Sequence, residues 1–306
     1  MMKYNKNNLP SDDLKSHNIK SSDHLNKTTK ETPLRIQVVS DLHIEFYNQE
    51  QPPPNFLIEP CAPILALLGD IGLACTDQLR TFLLSQCDRF EHVLFVAGNH
   101  EYYNKGETVF SMTEQLEWME GVCSERSNLH FMDNKSITLN GILILGTTLW
   151  SDIPDESLWQ AQISMNDYNL SYNHQPKENE SPRKLTAHET RNIHRKSVAW
   201  LRSCLTEAKK QNNQRVVILT HHTPLLAGTS HPRYNGNELN CCFSTNLKTI
   251  LVSYDNIVAW ACGHTHYNFD FRVGNNVRIV SNQRGYKDRP NKSYDRKGVV
   301  IEAFPN

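Results

Sequence analysis

The sequence predicts an α/β fold, because strand-like apolar runs alternate with apolar residues at helical spacing. The first two strands are predicted at residues 35–39 and 63–68, whose β-branched and aliphatic side chains are typical of buried strands. Apolar residues then recur at helical spacing over residues 79–90, and a third strand follows at 92–97. This order of strand, helix and strand indicates a sheet covered by helices.

A second amphipathic helix and a β-hairpin are predicted next. Apolar residues within 109–119 share one helical face. Two strand candidates, at 136–139 and 142–147, are separated only by Asn140-Gly141, a dipeptide preferred in two-residue hairpin turns. These two strands are therefore expected to pair antiparallel.

A long polar segment precedes a third helix and the remaining strands. Residues 151–185 contain three prolines and no clear periodicity, so we expect a surface excursion that carries specificity. Thr186 and Glu189 match a capping box, which opens a helix with His188 and His194 expected on its surface. Further strands are predicted at 216–219, 257–261, 268–273, 277–280 and 299–304.

Composition and charge indicate the class of protein. Residues 1–32 have few large apolar side chains, which predicts a disordered tail before one folded domain at 33–306. The net charge of −1, from 32 basic and 33 acidic residues, favours neither nucleic acid nor an anionic membrane as partner. The eight cysteines lie mostly in apolar patterns, as reduced thiols do, and no apolar stretch is long enough to cross a bilayer. We therefore expect a cytoplasmic protein.

Five strand-like runs end in residues that bind metals. In chain order, these motifs are Asp41-Leu42-His43, Gly69-Asp70, Gly98-Asn99-His100, His221-His222 and Gly263-His264-Thr265-His266. Strand ends converge on one rim of a sheet, and side chains two residues apart point to the same face, so Asp41 and His43 can share a cation. The set offers oxygen and nitrogen donors without thiolates. Together the motifs predict a centre for two divalent cations.

The order of these motifs resembles that of the calcineurin-like metallophosphoesterase superfamily, whose members are binuclear metallophosphatases. The motifs that carry the resemblance are Asp-x-His, Gly-Asp, Gly-Asn-His-Glu, His and Gly-His-x-His. The resemblance spans about residues 35–285. It implies a four-layer αββα sandwich of two mixed β-sheets flanked by helices, with the site at the carboxyl ends of the strands. It also implies that a metal-bridging hydroxide attacks a phosphomonoester or phosphodiester of a small molecule.

The resemblance further implies a role for each motif residue. One metal would be held by Asp41, His43, Asp70 and His266, and the other by Asp70, Asn99, His221 and His264. Asp70 would bridge the two, and His100 resembles the family histidine that stabilises the transition state or protonates the leaving oxygen. Imidazole and carboxylate ligands accept several metals; we expect manganese or iron, with zinc or cobalt as alternatives.

One departure from the family pattern concerns the partner of His100. Many members read Gly-Asp-x-x-Asp, and in protein phosphatases the last carboxylate orients the catalytic histidine, but this chain has Leu73 there. Asp167 is a candidate to replace that carboxylate, and loop capping is its alternative role.

Four further residues are candidates for contacts with the substrate. Arg284 could grip a phosphate as a bidentate donor, with an ordinary surface position as the alternative. Tyr102 could line the pocket or pack in the core, and Arg233 lies on the loop after His221. His222 is expected behind the ligands or facing the substrate.

Other functions of the same superfamily stay open at this point. A Ser/Thr protein phosphatase would carry arginines around the Gly-Asp and Gly-Asn-His-Glu motifs, which this chain lacks, and a nuclease would show a basic or aromatic-rich stripe. A protein-interaction scaffold with weak or no catalysis is the alternative of a different class. The retention of His100 and of every ligand type favours an enzyme.

Overall fold

The computed structural model describes residues 32–47, 57–174 and 183–306, so the predicted tail at 1–32 lies outside the described residues except for Thr32. Its strands are β1 (Leu34–Val39), β2 (Ile64–Leu68), β3 (His92–Val96), β4 (Leu129–Phe131), β5 (Lys135–Leu139), β6 (Ile142–Thr147), β7 (Tyr172–His174), β8 (Arg183–Lys184), β9 (Val216–Thr220), β10 (Ile257–Ala261), β11 (Asp270–Val273), β12 (Val277–Val280) and β13 (Val299–Ala303). Its α-helices are α1 (Asp77–Cys87), α2 (Met112–Ser124), α3 (Leu158–Ser164), α4 (Asp167–Leu170), α5 (Ala187–Lys210) and α6 (Lys248–Ser253).

Two mixed β-sheets form the centre of the molecule. The first has five strands in the order β13-β1-β2-β3-β4, in which β13 is antiparallel to β1 and the other neighbours are parallel. The second has six strands in the order β11-β12-β10-β9-β6-β5, with antiparallel pairs at its two edges. The central strands of each sheet are parallel, so their carboxyl ends lie at one edge of that sheet.

The sheets pack face to face, with helices on both outer sides, because the central strands are apolar on both faces. In β2, Leu65 and Leu67 pack with apolar residues of α1 and α2, whereas Ala66 and Leu68 pack in the cluster between the sheets. On the other side, residues of α5 and α6 pack on the second sheet. This order of layers confirms the predicted αββα sandwich.

The local turn and cap predictions are confirmed. Strands β5 and β6 pair antiparallel, and Asn140 and Gly141 between them have φ values of 47° and 77°, as a type I′ turn requires. Thr186 and Glu189 form a capping box, with Thr186 Oγ1 accepting from Glu189 N and the Glu189 carboxylate accepting from Thr186 N. Helix α5 therefore begins where the sequence indicates.

Two predictions on the middle of the chain are wrong. Residues 151–185 are not an irregular excursion, because α3, α4, β7 and β8 lie within them and Ala161 and Tyr168 pack in the core; residues 175–182 lie outside the described residues. His194 is not on the surface, since its side chain faces inward and its Nδ1 lies 3.0 Å from Leu149 O. The sequence pattern also missed β4 and α6, which are both short.

The cysteines are free thiols, as their apolar surroundings predict. All eight lack a disulfide, and Cys87, Cys123, Cys242 and Cys262 are buried. In the ranges that the structure describes, no helix combines the length and apolar character needed to cross a bilayer.

Candidate metal centre

The predicted ligands lie where central strands of both sheets end. Asp41 follows β1, Asp70 follows β2 and Asn99 follows β3 in the first sheet. His221 follows β9, while His264 and His266 follow β10 in the second sheet. All are buried except His266, whose side chain is 25% exposed. The motifs that are far apart in sequence therefore meet at one rim of the sandwich.

Five of the predicted ligands have a left-handed backbone. The φ values are 54° at Asp41, 48° at His43, 53° at Asp70, 74° at His264 and 51° at His266. For residues other than glycine this conformation costs roughly 1–3 kcal/mol each, and it clusters at functional sites where the surrounding structure fixes it. The backbone turns sharply at each strand end, which brings the side chains to the rim.

Two glycines of the motifs leave room for these side chains. A Cβ at Gly69, where φ is 80°, would lie 2.5 Å from His221 Nδ1. A Cβ at Gly98 would collide with Asp70 Oδ1 and lie 2.5 Å from Asp70 N. Glycine is therefore required at both positions by close approach, and at Gly69 by its φ as well.

The first group of candidate ligands consists of Asp41, His43, Asp70 and His266, whose ligand atoms lie within 4.8 Å of one another. His43 Nε2 and His266 Nε2 are 3.0 Å apart. Asp41 Oδ1 lies 3.3 Å from His266 Nε2, and Asp70 Oδ2 lies 3.8 Å from His43 Nε2. These atoms surround one point, as ligands of one cation would.

The second group consists of Asp70, His221 and His264, again within 4.8 Å. His221 Nε2 lies 3.1 Å from His264 Nδ1, 3.0 Å from Asn99 Oδ1 and 3.3 Å from Asp70 Oδ1. Asp70 thus presents one oxygen to each group. A carboxylate placed in this way could bridge two neighbouring cations.

In His43 and His221, a hydrogen bond made by Nδ1 leaves Nε2, which faces the candidate centre, free to bind a metal. His221 Nδ1 donates to Leu68 O at 2.8 Å, and His43 Nδ1 donates to Glu45 Oε1 at 3.2 Å. Each Nε2 then carries a lone pair that faces another ring nitrogen. Facing lone pairs repel unless a proton or a cation lies between them, so the donor set fits two divalent cations.

Burial controls the charge of these side chains. It lowers the pKa of His43 and of His221 to about 4, and it holds that of His264 well below its usual value. Burial also raises the pKa of Asp70 well above its usual value, and the Glu101 and Asp41 carboxylates add to this effect. The imidazoles are therefore neutral, as metal ligands must be, and the Asp70 carboxylate lacks a compensating charge when no metal is bound.

Glu101 joins two of the loops that carry candidate ligands. Its buried carboxylate accepts hydrogen bonds from Asp70 N at 2.9 Å, Ile71 N at 2.7 Å, Gly72 N at 3.2 Å and Gly98 N at 2.6 Å. Each of these amides would otherwise be buried without a partner, at a cost of about 1–3 kcal/mol. Glu101 thus fixes the loop after β2 against the loop after β3.

The carboxylate that orients His100 is Glu45, which the sequence interpretation missed. Glu45 Oε1 accepts from His100 Nδ1 at 2.8 Å and from His43 Nδ1 at 3.2 Å. His100 Nε2 then faces the candidate centre, 3.9 Å from Asp70 Oδ2. Glu45 lies two residues after His43, on a 3-10 helix at Ile44–Phe46, and this spacing was the available signal.

Asp167 does not orient His100, so that interpretation is wrong, and its buried carboxylate is not placed to contact a substrate either, although that role was also open to it. Its carboxylate is 2% exposed, and Oδ1 accepts from Asn99 Nδ2 at 2.8 Å and from Tyr103 OH at 2.6 Å. By holding the amide nitrogen of Asn99, Asp167 directs Asn99 Oδ1 toward His221 Nε2. It thereby orients the amide whose oxygen is the candidate ligand.

Replacing Asp167 by alanine is expected to weaken metal binding by about 10- to 100-fold, the range for outer partners of metal ligands. The Asn99 amide would lose the acceptor that fixes its orientation. Isothermal titration with manganese measures the change. Asp167→Asn is the matched control, since its amide oxygen can still accept both hydrogen bonds, and it should keep most of the affinity. Equal affinity in the alanine variant and the unmodified protein would contradict this role.

The other predicted substrate contacts lie away from the opening of the site. His222 is buried, and its ring centroid lies 4.1 Å from that of His264 with the planes tilted by 37°, so it packs behind a candidate ligand, which is one of the two predicted positions. Tyr102 is buried and packs near Trp150, with ring centroids 6.1 Å apart. Arg284 lies over the Tyr47 ring at 5.5 Å, and Arg233 is exposed and bonded to Tyr234 OH. Among the described contacts, neither arginine touches a candidate ligand, and their predicted contacts with the substrate stay predictions.

Tyr286 lies over the candidate ligands instead of Arg284. Its ring centroid is 4.5 Å from that of His43 and 4.6 Å from that of His266. The φ of 78° at Gly285 turns the chain between the two residues, so Arg284 and Tyr286 point in different directions. Sequence reasoning chose the charged residue of this segment and missed the aromatic one.

Comparisons with known proteins agree with this geometry. A family model described as calcineurin-like phosphoesterase matches residues 34–268. An uncharacterized protein of Acanthamoeba polyphaga mimivirus, L509, is 30% identical over 274 residues, which cover 84% of this chain and 92% of the viral protein.

Two solved structures are similar in fold. Phosphopantetheinyl hydrolase from Mycobacterium tuberculosis is 20% identical with a TM-score of 0.62, covering 90% of this chain and 98% of that one. A dimetal phosphatase from Danio rerio is 14% identical with a TM-score of 0.49, covering 86% and 91%. The similarity to the first of these supports the four-layer architecture described above.

Proposed function

Because this chain belongs to the calcineurin-like phosphoesterase family, we propose that it hydrolyses a phosphate ester of a small molecule at a centre of two divalent cations. The chain is a metal-dependent phosphoesterase. The small size of the substrate, the residues that bind the metals and the general acid His100 are proposed here. The observation that carries it is the pair of facing imidazole contacts, His43 with His266 and His221 with His264, on either side of Asp70.

The ligand assignment follows the two groups. Asp41, His43, Asp70 and His266 would hold one cation, and Asp70, Asn99, His221 and His264 the other. When bound, the cations would supply Lewis acidity, which lowers the pKa of water and neutralises charge on the phosphoryl oxygens. Imidazole, amide and carboxylate donors suit manganese or iron, which we propose as the physiological metals.

The protein itself would handle the leaving group. Glu45 holds His100 through Nδ1, and His100 Nε2 faces the candidate centre at its opening. A protonated Nε2 would donate to the oxygen that leaves phosphorus. Burial lowers the pKa of His100, and the hydrogen bond to Glu45 and its negative charge oppose that lowering and so favour the protonated form. Tyr286 and Tyr103 flank His100, with ring centroids 6.0 and 4.3 Å away, and limit the access of water.

The test is a metal titration of the chelator-treated protein with p-nitrophenyl phosphate and bis-p-nitrophenyl phosphate. We expect hydrolysis of at least one ester to appear with manganese or iron and to be lost again on chelation. Zinc and cobalt are run in parallel. Absence of turnover with all four metals would favour a protein-interaction scaffold over the proposed enzyme.

A further inference from the structure

A cavity of about 310 Å³ opens beside His100, and the ligand assignment above leaves it without a role. Its walls come from four separate parts of the chain: the 3-10 helix at Ile44–Phe46, the segment at 100–105, the segment with Asn166 and Leu170 at α4, and the turn at 286–289. The volume is in the range of pockets that hold small organic molecules. Because His100 lines it, the cavity lies on the side of the centre where the leaving group would emerge.

The cavity carries a strong local positive charge. Lys105, Lys287 and Arg289 line it, against a single carboxylate from Asp288. Among the residues that the structure describes, none of these three cations forms a salt bridge. The whole chain has a net charge of −1, so this excess is local and does not reflect a generally basic surface. Unpaired cations that converge on a cavity attract an anion.

Two aromatic rings of the cavity wall lie next to the cations and next to the candidate ligands. Phe46 and Tyr286 meet edge to face, with ring centroids 5.6 Å apart, and remain 43% and 38% exposed. Lys105 Nζ lies 4.2 Å from the centroid of the Phe46 ring. Exposed aromatic rings next to polar groups suit the organic part of a ligand, which they can contact without displacing hydrogen bonds.

We propose that the cavity is a second anion subsite, which binds a phosphate on the leaving group of the substrate. The inference rests on the proposed function, since it names the substrate class of the same site. The scissile phosphate would lie at the metal centre, an organic spacer along Phe46 and Tyr286, and the second phosphate at Lys287 and Arg289. The substrate is thus a small molecule with two separated phosphate groups.

The test compares substrates that differ only in a second phosphate. A linear hexanediol is phosphorylated at one end or at both ends, and hydrolysis by the metal-loaded full-length protein is followed by phosphorus NMR. Methyl diesters of the same compounds are used if the protein cleaves only diesters. We expect kcat/KM to be about 10- to 100-fold higher for the doubly phosphorylated compound, the effect of hydrogen bonds to a charged group. Butanediol and octanediol analogues should show a dependence on spacer length.

The double variant Lys287→Gln/Arg289→Gln locates the effect. Its ratio of kcat/KM values for the two compounds should fall to about two, the factor given by two equivalent ends without a charge contact. The matched control is Lys196→Gln/Lys210→Gln, which removes the same charge from exposed positions of α5 outside the cavity. The control should keep the ratio of the unmodified protein, and higher salt should reduce that ratio.

The outcomes separate the two proposals. No hydrolysis of the aryl or alkyl esters by any metal-loaded form would overturn the proposed function and, with it, this inference. Hydrolysis by the unmodified protein with a kcat/KM ratio of about two or less between the doubly and singly phosphorylated compounds would overturn the anion subsite alone, because two equivalent ends account for a factor of two. An equal fall of the ratio in the α5 control would also overturn it, because the preference would then arise from overall charge.

Discussion

Replacing Asp70 by asparagine is expected to lower kcat/KM for an aryl phosphate by about a thousandfold or more, since the bridging ligand of both cations is lost. The same change should stabilise the metal-free protein. Burial and the Glu101 and Asp41 carboxylates raise the pKa of Asp70, so its ionised form is disfavoured in the folded state. A neutral amide of the same shape avoids that cost, which is roughly 3–5 kcal/mol for an uncompensated buried charge.

Thermal unfolding with and without manganese, together with turnover, measures both effects. The unmodified protein should gain melting temperature on adding metal, and Asp70→Asn should gain little. Asp133→Asn serves as the control, because burial raises the pKa of this carboxyl as well and it lies outside the candidate centre. It should leave turnover and the effect of metal unchanged. Equal metal stabilisation of Asp70→Asn and the unmodified protein would show that Asp70 is not a ligand.

Replacing His100 by asparagine is expected to lower kcat by about 10²- to 10⁴-fold for esters with poor leaving groups, the range for general acid catalysis. The loss should be much smaller for p-nitrophenyl phosphate, whose leaving group departs without a proton. A series of substituted phenyl phosphates measures this dependence. His130→Asn, a partly buried histidine paired with His92, is the control and should leave kcat unchanged. A loss that does not vary with the leaving group would argue against proton donation.

The contact of His100 with Glu45 predicts how the losses of kcat in the two single variants combine in the double variant. Glu45→Gln should lower kcat by about 10- to 100-fold, as expected for a group that orients another. In the double variant with His100→Asn, the two losses should not multiply, because Glu45 acts on the leaving group through His100. Multiplicative losses would assign Glu45 a separate effect through His43, from whose Nδ1 it also accepts a hydrogen bond.

The strands and the convergence of the motifs could be predicted from the sequence because both depend on local patterns. Apolar runs such as Ile64–Leu68 define strands by composition, and the residues that follow parallel strands meet at one edge of a sheet. The hairpin at Asn140-Gly141 follows from turn preference alone. The pairing of two sheets into a sandwich came from the family resemblance, since no local pattern encodes it.

The partners of the candidate residues could not be predicted because tertiary structure brings them together. Asp167 reaches Asn99 from 68 residues away, on a helix of four residues. Glu45 is close in sequence to His43, but the left-handed backbone at His43 directs it between two imidazoles. Likewise, Arg284 and Tyr286 would point to the same side if the chain continued as a strand, but the turn at Gly285 directs their side chains differently.

The four amides held by Glu101 have a consequence for local opening of the site. A single carboxylate accepts from Asp70 N, Ile71 N, Gly72 N and Gly98 N. If either loop opened alone, the hydrogen bonds between Glu101 and the amides of the loop after β2 would break. Their amide protons should therefore exchange with solvent as one cooperative unit. The candidate ligands on both loops would then be in position before a cation arrives, so metal uptake would be limited by its access and dehydration and not by folding of the loops.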